Sequence, residues 1–430
     1  MRFETAFSMD SSSVKYGAGV TREVGHDMRQ LGGRRVMVVT DPYLAGSEPV
    51  AVTLAALHGA GIDAVLFNQV RVEPTDASLL QAVDFAIDGR FDGYVAVGGG
   101  SSIDTAKAAD LYASCPAEFL AYVNPPLGEG RPVQGKMAPL IAIPTTAGTG
   151  SETTGVVVFD LLEMRAKTAI RQRACRPSLG IIDPDNTRTL PPMAAACSGL
   201  DVLCHALESL TALPYDRRPA PESPELRPAY QGANPISDVW ASRAIQMATG
   251  NLARVLDDPA DDEARGAMLL AATFAGVGFG NAGTHLAHAM SYPVSGMVRE
   301  YRADGYPADR PLVPHGMSVV LDAPAVFRFT APAGPERHLY AAQLMGLDTS
   351  EVDPAGPDAA GGGELLAGAL IALMRKAGLP NGLSAVGYGP QDVDDLVAGT
   401  LPQHTVTKLS PRPASADDLR GLFLDSMTLW

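Results

Sequence analysis

Four side chains that can bind a divalent metal lie in distinctive stretches of the chain: Asp201, His205, His288 and His315. Asp201 and His205 stand four residues apart in SGLDVLCHALES, an apolar-rich stretch that predicts a helix with both side chains on one face. The two later histidines lie in THLAHAMSYP and LVPHGMS. Three imidazoles and one carboxylate suit iron(II), zinc or another first-row metal, and leave one position for a substrate oxygen. A single histidine of this kind is more often a buried structural residue, so the prediction rests on the whole set.

A glycine-rich turn earlier in the chain predicts an anion site. In YVAVGGGSSIDTAK a β-branched run meets Gly98, Gly99 and Gly100, and an alanine-rich helix follows with Ser101 or Ser102 as its N-cap. Glycines let backbone N–H groups approach an anion, and the helix N-terminus adds partial positive charge, so pyrophosphate is the expected ligand. The string is not G-x-G-x-x-G, and a plain strand-to-helix turn is the alternative.

A second polar loop, PTTAGTGSETT, follows another short apolar strand. Its hydroxyls come from Thr145, Thr146, Thr149 and Ser151, and two glycines keep its backbone open. This chemistry suits ribose, amide or phosphate oxygens. A capped surface loop is the alternative.

A carboxylate at the end of an earlier strand predicts the choice of nucleotide. The string RRVMVVTDPYL is typical of a buried strand that ends at Asp41. A carboxylate in this position can accept hydrogen bonds from the adenosine ribose and would repel a 2′-phosphate, which favours NAD over NADP. Asp-Pro is also a common opening of a turn, which is the alternative.

The predicted secondary structure changes near residue 190. Between residues 34 and 182, short β-branched strands such as VMVVT and YVAV alternate with helical stretches, which predicts a parallel sheet with helices on both faces. Further on, stretches such as WASRAIQMATGNLARVL repeat apolar residues at helical spacing. We therefore expect an α/β dinucleotide-binding domain at residues 1–190 and an all-α metal-binding and substrate domain at residues 191–430. The proline-rich residues 214–235 are expected to form an ordered excursion or lid.

Composition excludes several classes of protein. The 430 residues carry a net charge of -15, which argues against binding to nucleic acid or to an anionic membrane surface. An apolar fraction of 46% and a charged fraction of 19% are typical of a globular chain. The longest apolar stretches fall short of the ~20 residues of a membrane span. Four cysteines without C-x-x-C spacing, and an N-terminus that resembles neither a signal nor a transit segment, predict a reducing cytoplasm.

Several strings together resemble one enzyme family. GGGSSIDTAK, PTTAGTGSETT, GLDVLCHALES, HAMSYP and VPHGMS are similar to the iron-containing alcohol dehydrogenases, which share their fold with dehydroquinate synthase and glycerol dehydrogenase. Within that family, QVRVEPTD, RPAYQGANPISDVW, GFGNAGTHLAHAMSYPVSG and TLPQHTVTKL resemble the hydroxyacid-oxoacid transhydrogenases. The resemblance covers nearly the whole chain and implies an oxidoreductase that uses NAD and iron(II) or zinc.

The resemblance also implies roles for individual residues. The metal ligands of the family fall on Asp201, His205, His288 and His315, whereas His285 is not a ligand by this match. Contacts with the cofactor fall on a ribose carboxylate, the pyrophosphate turn, the threonines on the nicotinamide side and a lysine: Asp41, Gly98, Gly99, Gly100, Ser101, Asp104, Thr145, Thr146, Thr149 and Lys167.

Two features depart from the family pattern. Many relatives that oxidise alcohols carry a histidine four residues after the third ligand, where this chain has Tyr292. Its hydroxyl is the candidate proton relay, although a phenol is a poor base at neutral pH. The segment between the last two histidines is also extended, and it brings Arg299, Arg302 and Arg310 near the metal in sequence. Cations there would suit a substrate carboxylate, and solvated loop arginines are the alternative.

The implied reaction moves hydride through bound NAD from a hydroxy acid like 4-hydroxybutyrate to a 2-oxo acid like 2-oxoglutarate, in a cleft between the two domains. An ordinary NAD-dependent alcohol or 4-hydroxybutyrate dehydrogenase that releases free NADH is the first alternative. The HAMSYP and VPHGMS strings argue against a metal lyase like dehydroquinate synthase, and the complete ligand set argues against a silent scaffold. Small hydroxy and oxo acids are the expected partners, in a homo-oligomer of two or more copies.

Overall fold

The first half of the chain is organised around a parallel sheet of buried, β-branched strands. The structure, a computed structural model, describes residues 2–164, 166–353, 356 and 360–430, without the side chain of residue 225. Eight strands occur in this part of the chain: β1 (Ser13–Tyr16), β2 (Arg35–Val39), β3 (Asp63–Phe67), β4 (Gly93–Gly98), β5 (Leu140–Pro144), β6 (Val156–Leu161), β7 (Ala166–Arg171) and β8 (Leu179–Ile182). Six form one parallel sheet in the order β1-β8-β5-β4-β2-β3, and β6 and β7 pair antiparallel.

Helices cover both faces of this sheet, because parallel strands need crossover connections. They are α1 (Val24–Leu31), α2 (Glu48–Gly59), α3 (Asp76–Gly89) and α4 (Gly100–Ser114). Along β2 the side chains alternate between faces. Met37 and Val39 pack in a core with residues of α3 and α4, whereas Val36 and Val38 pack with residues of α1 and α2. The predicted α/β fold of this region is confirmed.

The register of the central strands brings three loops to one edge of the sheet. Gly98 at the end of β4 pairs with Pro144 at the end of β5, and Val39 of β2 pairs with Ala96. The carboxyl ends of parallel strands lie at the same edge, where α/β proteins bind their ligands. The loops that follow β2, β4 and β5 are therefore neighbours.

Described residues beyond 190 form helices, and the predicted helical region is confirmed. The helices are α5 (Pro192–Thr211), α6 (Pro235–Asp257), α7 (Asp262–Ala282), α8 (Leu286–Gly296), α9 (His315–Thr330), α10 (Pro335–Leu344), α11 (Gly361–Lys376), α12 (Val393–Thr400), α13 (His404–Thr407) and α14 (Ala416–Asp425). Contacts divide the chain into a sheet unit, Asp10–Leu190, and a helical unit that joins Met1–Met9 to Pro191–Trp430. In the helical unit, the N–H of Ser8 donates to the Gln231 side chain at 2.9 Å.

Helix α5 lies at the centre of the helical unit. Every residue from Gly199 to Thr211 is buried, and the helix packs against α6, α7 and α9. The polar side chains on this stretch, including Asp201, His205 and Glu208, are therefore inside the protein. Buried polar groups require partners, because removing them from water costs free energy.

A sharp bend joins α7 to α8. Gly283 between them has a φ of +95°, and a Cβ there would lie 2.3 Å from the Leu409 side chain. Among the described residues, no single helix has the length and hydropathy to cross a membrane. Helices α7 and α8 together have that length and hydropathy, but the pair is bent by 104°. The bend places His288 in the first turn of α8.

The proline-rich residues 214–235 form an excursion whose ends are joined. The N–H of Ala233 donates to the Leu213 carbonyl at 3.1 Å, and the N–H of Tyr215 donates to the Ala233 carbonyl at 3.0 Å. The N–H of Leu213 also donates to Leu409 at 2.7 Å. The backbone hydrogen bonds at its ends support the prediction of an ordered excursion.

A buried carboxyl on α4 gives a prediction about stability. Asp110 accepts hydrogen bonds from the Ser114 hydroxyl at 2.7 Å and from the Ala138 N–H at 3.1 Å, and burial raises its pKa from 3.8 to about 7. The pKa of Asp110 is higher in the folded state than in the unfolded chain. The free energy of unfolding is therefore highest below pH 3.8 and falls as the pH rises through about 7, because the folded protein must then hold a buried charge. Asp110→Asn stays neutral at every pH. Its free energy of unfolding should therefore rise relative to that of the parent by roughly 2 to 4 kcal/mol as the pH goes from about 4 to about 8. Urea unfolding at both pH values measures this gain, and a pH-independent difference would contradict the assignment.

Candidate active site

Three helices bring the four predicted metal ligands together. Asp201 and His205 lie one turn apart on α5, His288 lies in the first turn of α8, and His315 is the first residue of α9. One ligand atom from each of the four lies within 4.8 Å of the others. Asp201, His205 and His288 are buried, and His315 is half-buried.

The atoms that face the centre of this cluster do not satisfy one another. Asp201 Oδ1 lies 3.6 Å from His205 Nδ1 and 3.7 Å from His288 Nε2, which is too far for hydrogen bonds. Within the described residues, none of these three buried atoms has a hydrogen-bond partner. Such atoms are costly unless a ligand satisfies them. One divalent cation would satisfy all three, so these residues fit a metal ion.

The electrostatics of the cluster favour the ligand forms of Asp201 and His205. Burial raises the pKa of Asp201, but the nearby imidazoles of His205, His315 and His288 outweigh burial and hold it below its ordinary value. Burial lowers the pKa of His205 to about 3, despite the opposing effect of Asp201. An ionised carboxylate and a neutral imidazole are the forms that bind metal. For His288, burial lowers the pKa, but Glu208 and Asp201 outweigh burial and raise it to about 9, so a metal ion must displace a proton from this imidazole.

Close packing fixes the positions of the ligands. A Cβ on Gly316 would lie 2.2 Å from the Cys197 carbonyl oxygen and 2.8 Å from the Asp201 Cβ, so only glycine lets α9 begin this close to α5. The ring of Phe279, at the end of α7, stacks on the imidazole of His205 with a centroid distance of 4.0 Å. The apolar ring restricts the imidazole and excludes water from that side.

Glu208 is a functional candidate that the sequence analysis missed. Its carboxylate is buried, contacts the Nδ1 of His288, and lies 3.1 Å from Nδ1 of His285. The signal was present in the helical spacing, because Glu208 follows Asp201 by two turns and shares its face of α5. His285 contacts this carboxylate and the Thr211 hydroxyl, and it is not part of the ligand cluster.

The loop arginines make hydrogen bonds or ion pairs with protein groups. Arg299 forms a bidentate ion pair with Asp392 at 2.8 and 2.9 Å and also donates to the Gly387 carbonyl. Arg302 donates to backbone carbonyls of the same loop, and Arg310 contacts the adjacent Asp309. Arg299 and Arg302 therefore have structural contacts, and their attraction for a substrate carboxylate stays a prediction.

The two polar loops of the sheet unit pack directly on each other. A Cβ on Gly99 would lie 3.1 Å from the Thr146 side chain, and one on Gly100 would lie 2.8 Å from the Thr149 side chain. The glycines therefore allow the threonine loop to approach the N-terminus of α4. Backbone N–H groups and hydroxyls together form a polar edge that fits a dinucleotide.

A buried network holds these loops in place. Asp104 accepts hydrogen bonds from the Ser151 hydroxyl at 2.6 Å and from the Val158 N–H at 2.9 Å. The ammonium of Lys107 lies 3.3 Å from Asp104 and 2.5 Å from Ser151. Asp104, expected to contact the cofactor, has both oxygens engaged by protein groups, so any effect on the cofactor is indirect.

Lys167 and Ser101 are linked through Glu73. The Lys167 ammonium is buried between Glu73 at 2.8 Å and Asp160 at 3.0 Å, and the N–H of Glu73 donates to the Ser101 hydroxyl at 3.1 Å. Glu73 has a φ of +55°, which is unfavourable for a residue with a side chain. A strained residue at a loop of this kind is typical of a functional site.

Asp41 lies in the turn after β2, at the same edge of the sheet. Its Oδ1 accepts from the N–H groups of Tyr43 at 2.8 Å and Leu44 at 3.1 Å, and burial raises its pKa. The structure thus contains the turn that was the alternative interpretation. This turn does not exclude a ribose contact, because only one of the two oxygens makes these hydrogen bonds.

Comparison with protein families gives matches to both halves of the chain. The model described as iron-containing alcohol dehydrogenase matches residues 11–184. A second model, described as the C-terminal part of the Fe-containing alcohol dehydrogenase family, matches residues 229–427.

Individual relatives cover almost the whole chain. The chain is 53% identical over 431 residues to a mitochondrial hydroxyacid-oxoacid transhydrogenase of Xenopus tropicalis, covering 99% of this chain and 92% of the relative. It is 52% identical over 429 residues to the protein of that name from Homo sapiens, with coverage of 99% and 90%. Among solved structures, a 1,3-propanediol oxidoreductase is similar with a TM-score of 0.84 at 26% identity, covering 98% and 100% of the two chains. An alcohol dehydrogenase from Oenococcus oeni gives 0.82 at 26%, with the same coverage.

These relatives contradict the predicted cytoplasmic location. Their names place them in mitochondria. The prediction used four cysteines, which are buried and form no disulfides. Free thiols argue against an oxidising compartment but do not distinguish one reducing compartment from another. The cytoplasmic prediction was therefore wrong.

The ligand geometry predicts that two neighbouring histidines respond differently to substitution. His288→Ala should remove most of the bound metal, because it deletes a ligand of the cluster. His285→Ala should retain most of the metal, because His285 contacts only the reverse side of the site. Elemental analysis of the purified variants measures the metal content per chain. The opposite pattern would reject this ligand set, and the two buried imidazoles serve as matched controls for each other.

Proposed function

The chain belongs to the iron-containing alcohol dehydrogenase family, and we propose that it exchanges hydride between a short hydroxy acid and a 2-oxo acid. Membership of this family makes it an oxidoreductase. The observation that carries the finer proposal is the identity of 52 to 53% over nearly the full length to proteins named hydroxyacid-oxoacid transhydrogenase. We also propose that residues 1–190 and 191–430 act as nucleotide and metal domains in a homo-oligomer.

The helical unit holds the metal in this proposal. Asp201, His205, His288 and His315 are its ligands, and the clustered, unsatisfied atoms of this set support the assignment. When bound, iron(II) or zinc would polarise a substrate oxygen, and NAD would accept and return the hydride. Tyr292 is the proposed proton relay, since it is buried one turn after His288 on α8.

The sheet unit binds NAD in this proposal. The turn Gly98, Gly99, Gly100 and Ser101 would hold the pyrophosphate, and Thr145, Thr146 and Thr149 would hold the ribose and amide oxygens. The shared edge of the three loops supports this placement. Asp104 and Lys167 act indirectly, through the protein groups that they hold.

Each hydroxy acid has two hydrogen atoms more than the carbonyl compound formed from it. A hydroxy acid such as 4-hydroxybutyrate loses a hydride and a proton and leaves as the semialdehyde. A 2-oxo acid such as 2-oxoglutarate takes up a hydride and a proton and leaves as 2-hydroxyglutarate. The nucleotide returns to its starting form, so no free NADH is released.

A plain dehydrogenase is the second candidate function. It is favoured by the similar solved structures named as alcohol dehydrogenases and as an oxidoreductase, at 26% identity. In that case NADH leaves after each oxidation, and the oxo acid has no effect.

The two candidates differ in whether free nucleotide is needed. Protein with only its copurified cofactor should convert 4-hydroxybutyrate and 2-oxoglutarate into equal amounts of semialdehyde and 2-hydroxyglutarate over many turnovers. Chromatography of both products, together with absorbance of NADH, provides the measurement. If product forms only when NAD is added, with one NADH per alcohol and no dependence on the oxo acid, the plain dehydrogenase is correct.

The nucleotide preference depends on Asp41. The parent protein should bind NAD more tightly than NADP, because the carboxylate would repel the 2′-phosphate. Asp41→Ser should reduce the ratio by roughly tenfold, on the order of 1 kcal/mol of removed repulsion. Calorimetric titration with both nucleotides tests this, and Asp110→Asn is the control, a buried carboxylate of the same unit far along α4. Equal affinities in the parent protein would defeat the prediction.

A further inference from the structure

Glu208 is a fully buried carboxylate whose contacts all lie at the start of another helix. It belongs to α5, three residues after His205, and has no exposed surface. Its partners are the N–H of Ala287, Nδ1 of His288 and Nδ1 of His285. A single side chain of α5 thus holds the first turn of α8.

The first turn of α8 has no cap of its own. His285 occupies the N-cap position, and its side chain makes no capping hydrogen bond. The N–H groups of a first helical turn need acceptors, and a negative charge there is favourable. Glu208 Oε1 accepts from the N–H of Ala287 at 2.8 Å and so provides the cap from α5.

The second oxygen of Glu208 determines which nitrogen of His288 is free. Its Oε1 already accepts from the Ala287 N–H, and its Oε2 contacts Nδ1 of His288, so each carboxylate oxygen faces a nitrogen of α8. An ionised carboxylate only accepts hydrogen bonds, and its contact therefore requires a proton on His288 Nδ1. Nε2 is then the nitrogen that faces Asp201, at 3.7 Å, and the one available to a metal ion.

We propose that Glu208 is a positioning residue for the metal site, which orients His288 and caps α8 with the same carboxylate. This inference rests on the proposed metal function. A glutamine in its place has only one acceptor oxygen. Its amide would present N–H groups to either Ala287 or His288, both of which are donors, so one of the two contacts must be lost.

The test measures how tightly the full-length protein holds Zn²⁺. Holoprotein is titrated with a chelator of known affinity, for the parent, Glu208→Gln, and the control Asp110→Asn. We expect Glu208→Gln to lose about 10- to 100-fold in Zn²⁺ affinity. Asp110→Asn, which alters a buried carboxylate of the sheet unit, should keep the parent affinity. The absorption spectrum of the Co²⁺-loaded proteins should also change in Glu208→Gln alone, because it reports ligand geometry.

A double substitution shows whether Glu208 acts through His288. In a His288→Ala background, adding Glu208→Gln should cause almost no further loss of Zn²⁺ affinity, since the two changes share one interaction. An equal loss in both backgrounds, or parent-like affinity in the single variant, would overturn the proposal. If Glu208→Gln does not fold, Glu208→Asp replaces it, because a shorter carboxylate cannot reach both donors. Failure of the parent to hold one Zn²⁺ would instead reject the proposed function.

Discussion

The helical unit depends on one electrostatic constraint, which is that a charged carboxylate inside a helical core must be compensated. Asp201 lies on the buried stretch of α5, and three imidazoles from three helices surround it. Among the described residues, the facing atoms of Asp201, His205 and His288 have no hydrogen-bond partner, and one cation would satisfy all three. Glu208 lies on the same face of α5 and is a second buried carboxylate that contacts a histidine, His288. Polar groups of α5 therefore contact the first turns of both α8 and α9.

The sheet unit is governed by the geometry of parallel strands. Their shared carboxyl edge brings together three loops that are far apart in sequence. The glycine turn after β4 then serves two purposes, since it exposes N–H groups and admits the side chains of Thr146 and Thr149. The charged residues behind this edge, Asp104 and Lys107, lie in a buried network that supports it.

Much of the fold and of the ligand set could be predicted from the sequence, because each had a strong local signal. The strands of the parallel sheet are short β-branched runs, and Asp201 and His205 have the spacing of one helical turn. Glu208 was not recognised, because its role depends on α8 meeting α5, and no local pattern reports that contact. The ion pair of Arg299 with Asp392 was not foreseen for a similar reason, because proximity in sequence to His315 says nothing about a contact 93 residues away. The prediction of the cellular location was wrong because free thiols indicate a reducing compartment but do not show which one.

The distribution of the ligands over α5, α8 and α9 has a consequence for how the protein folds. Of the four ligands, an unfolded chain keeps only Asp201 and His205 close together, because the other two are distant in sequence. The complete site exists only after those long-range contacts have formed, and such contacts form slowly. The ion therefore binds the native state more tightly than the unfolded chain, and at a hundredfold excess over its Kd it would add at most about 2.7 kcal/mol to the stability. Metal supply in the cell would then control how much of this protein survives proteolysis, as well as how much of it is active.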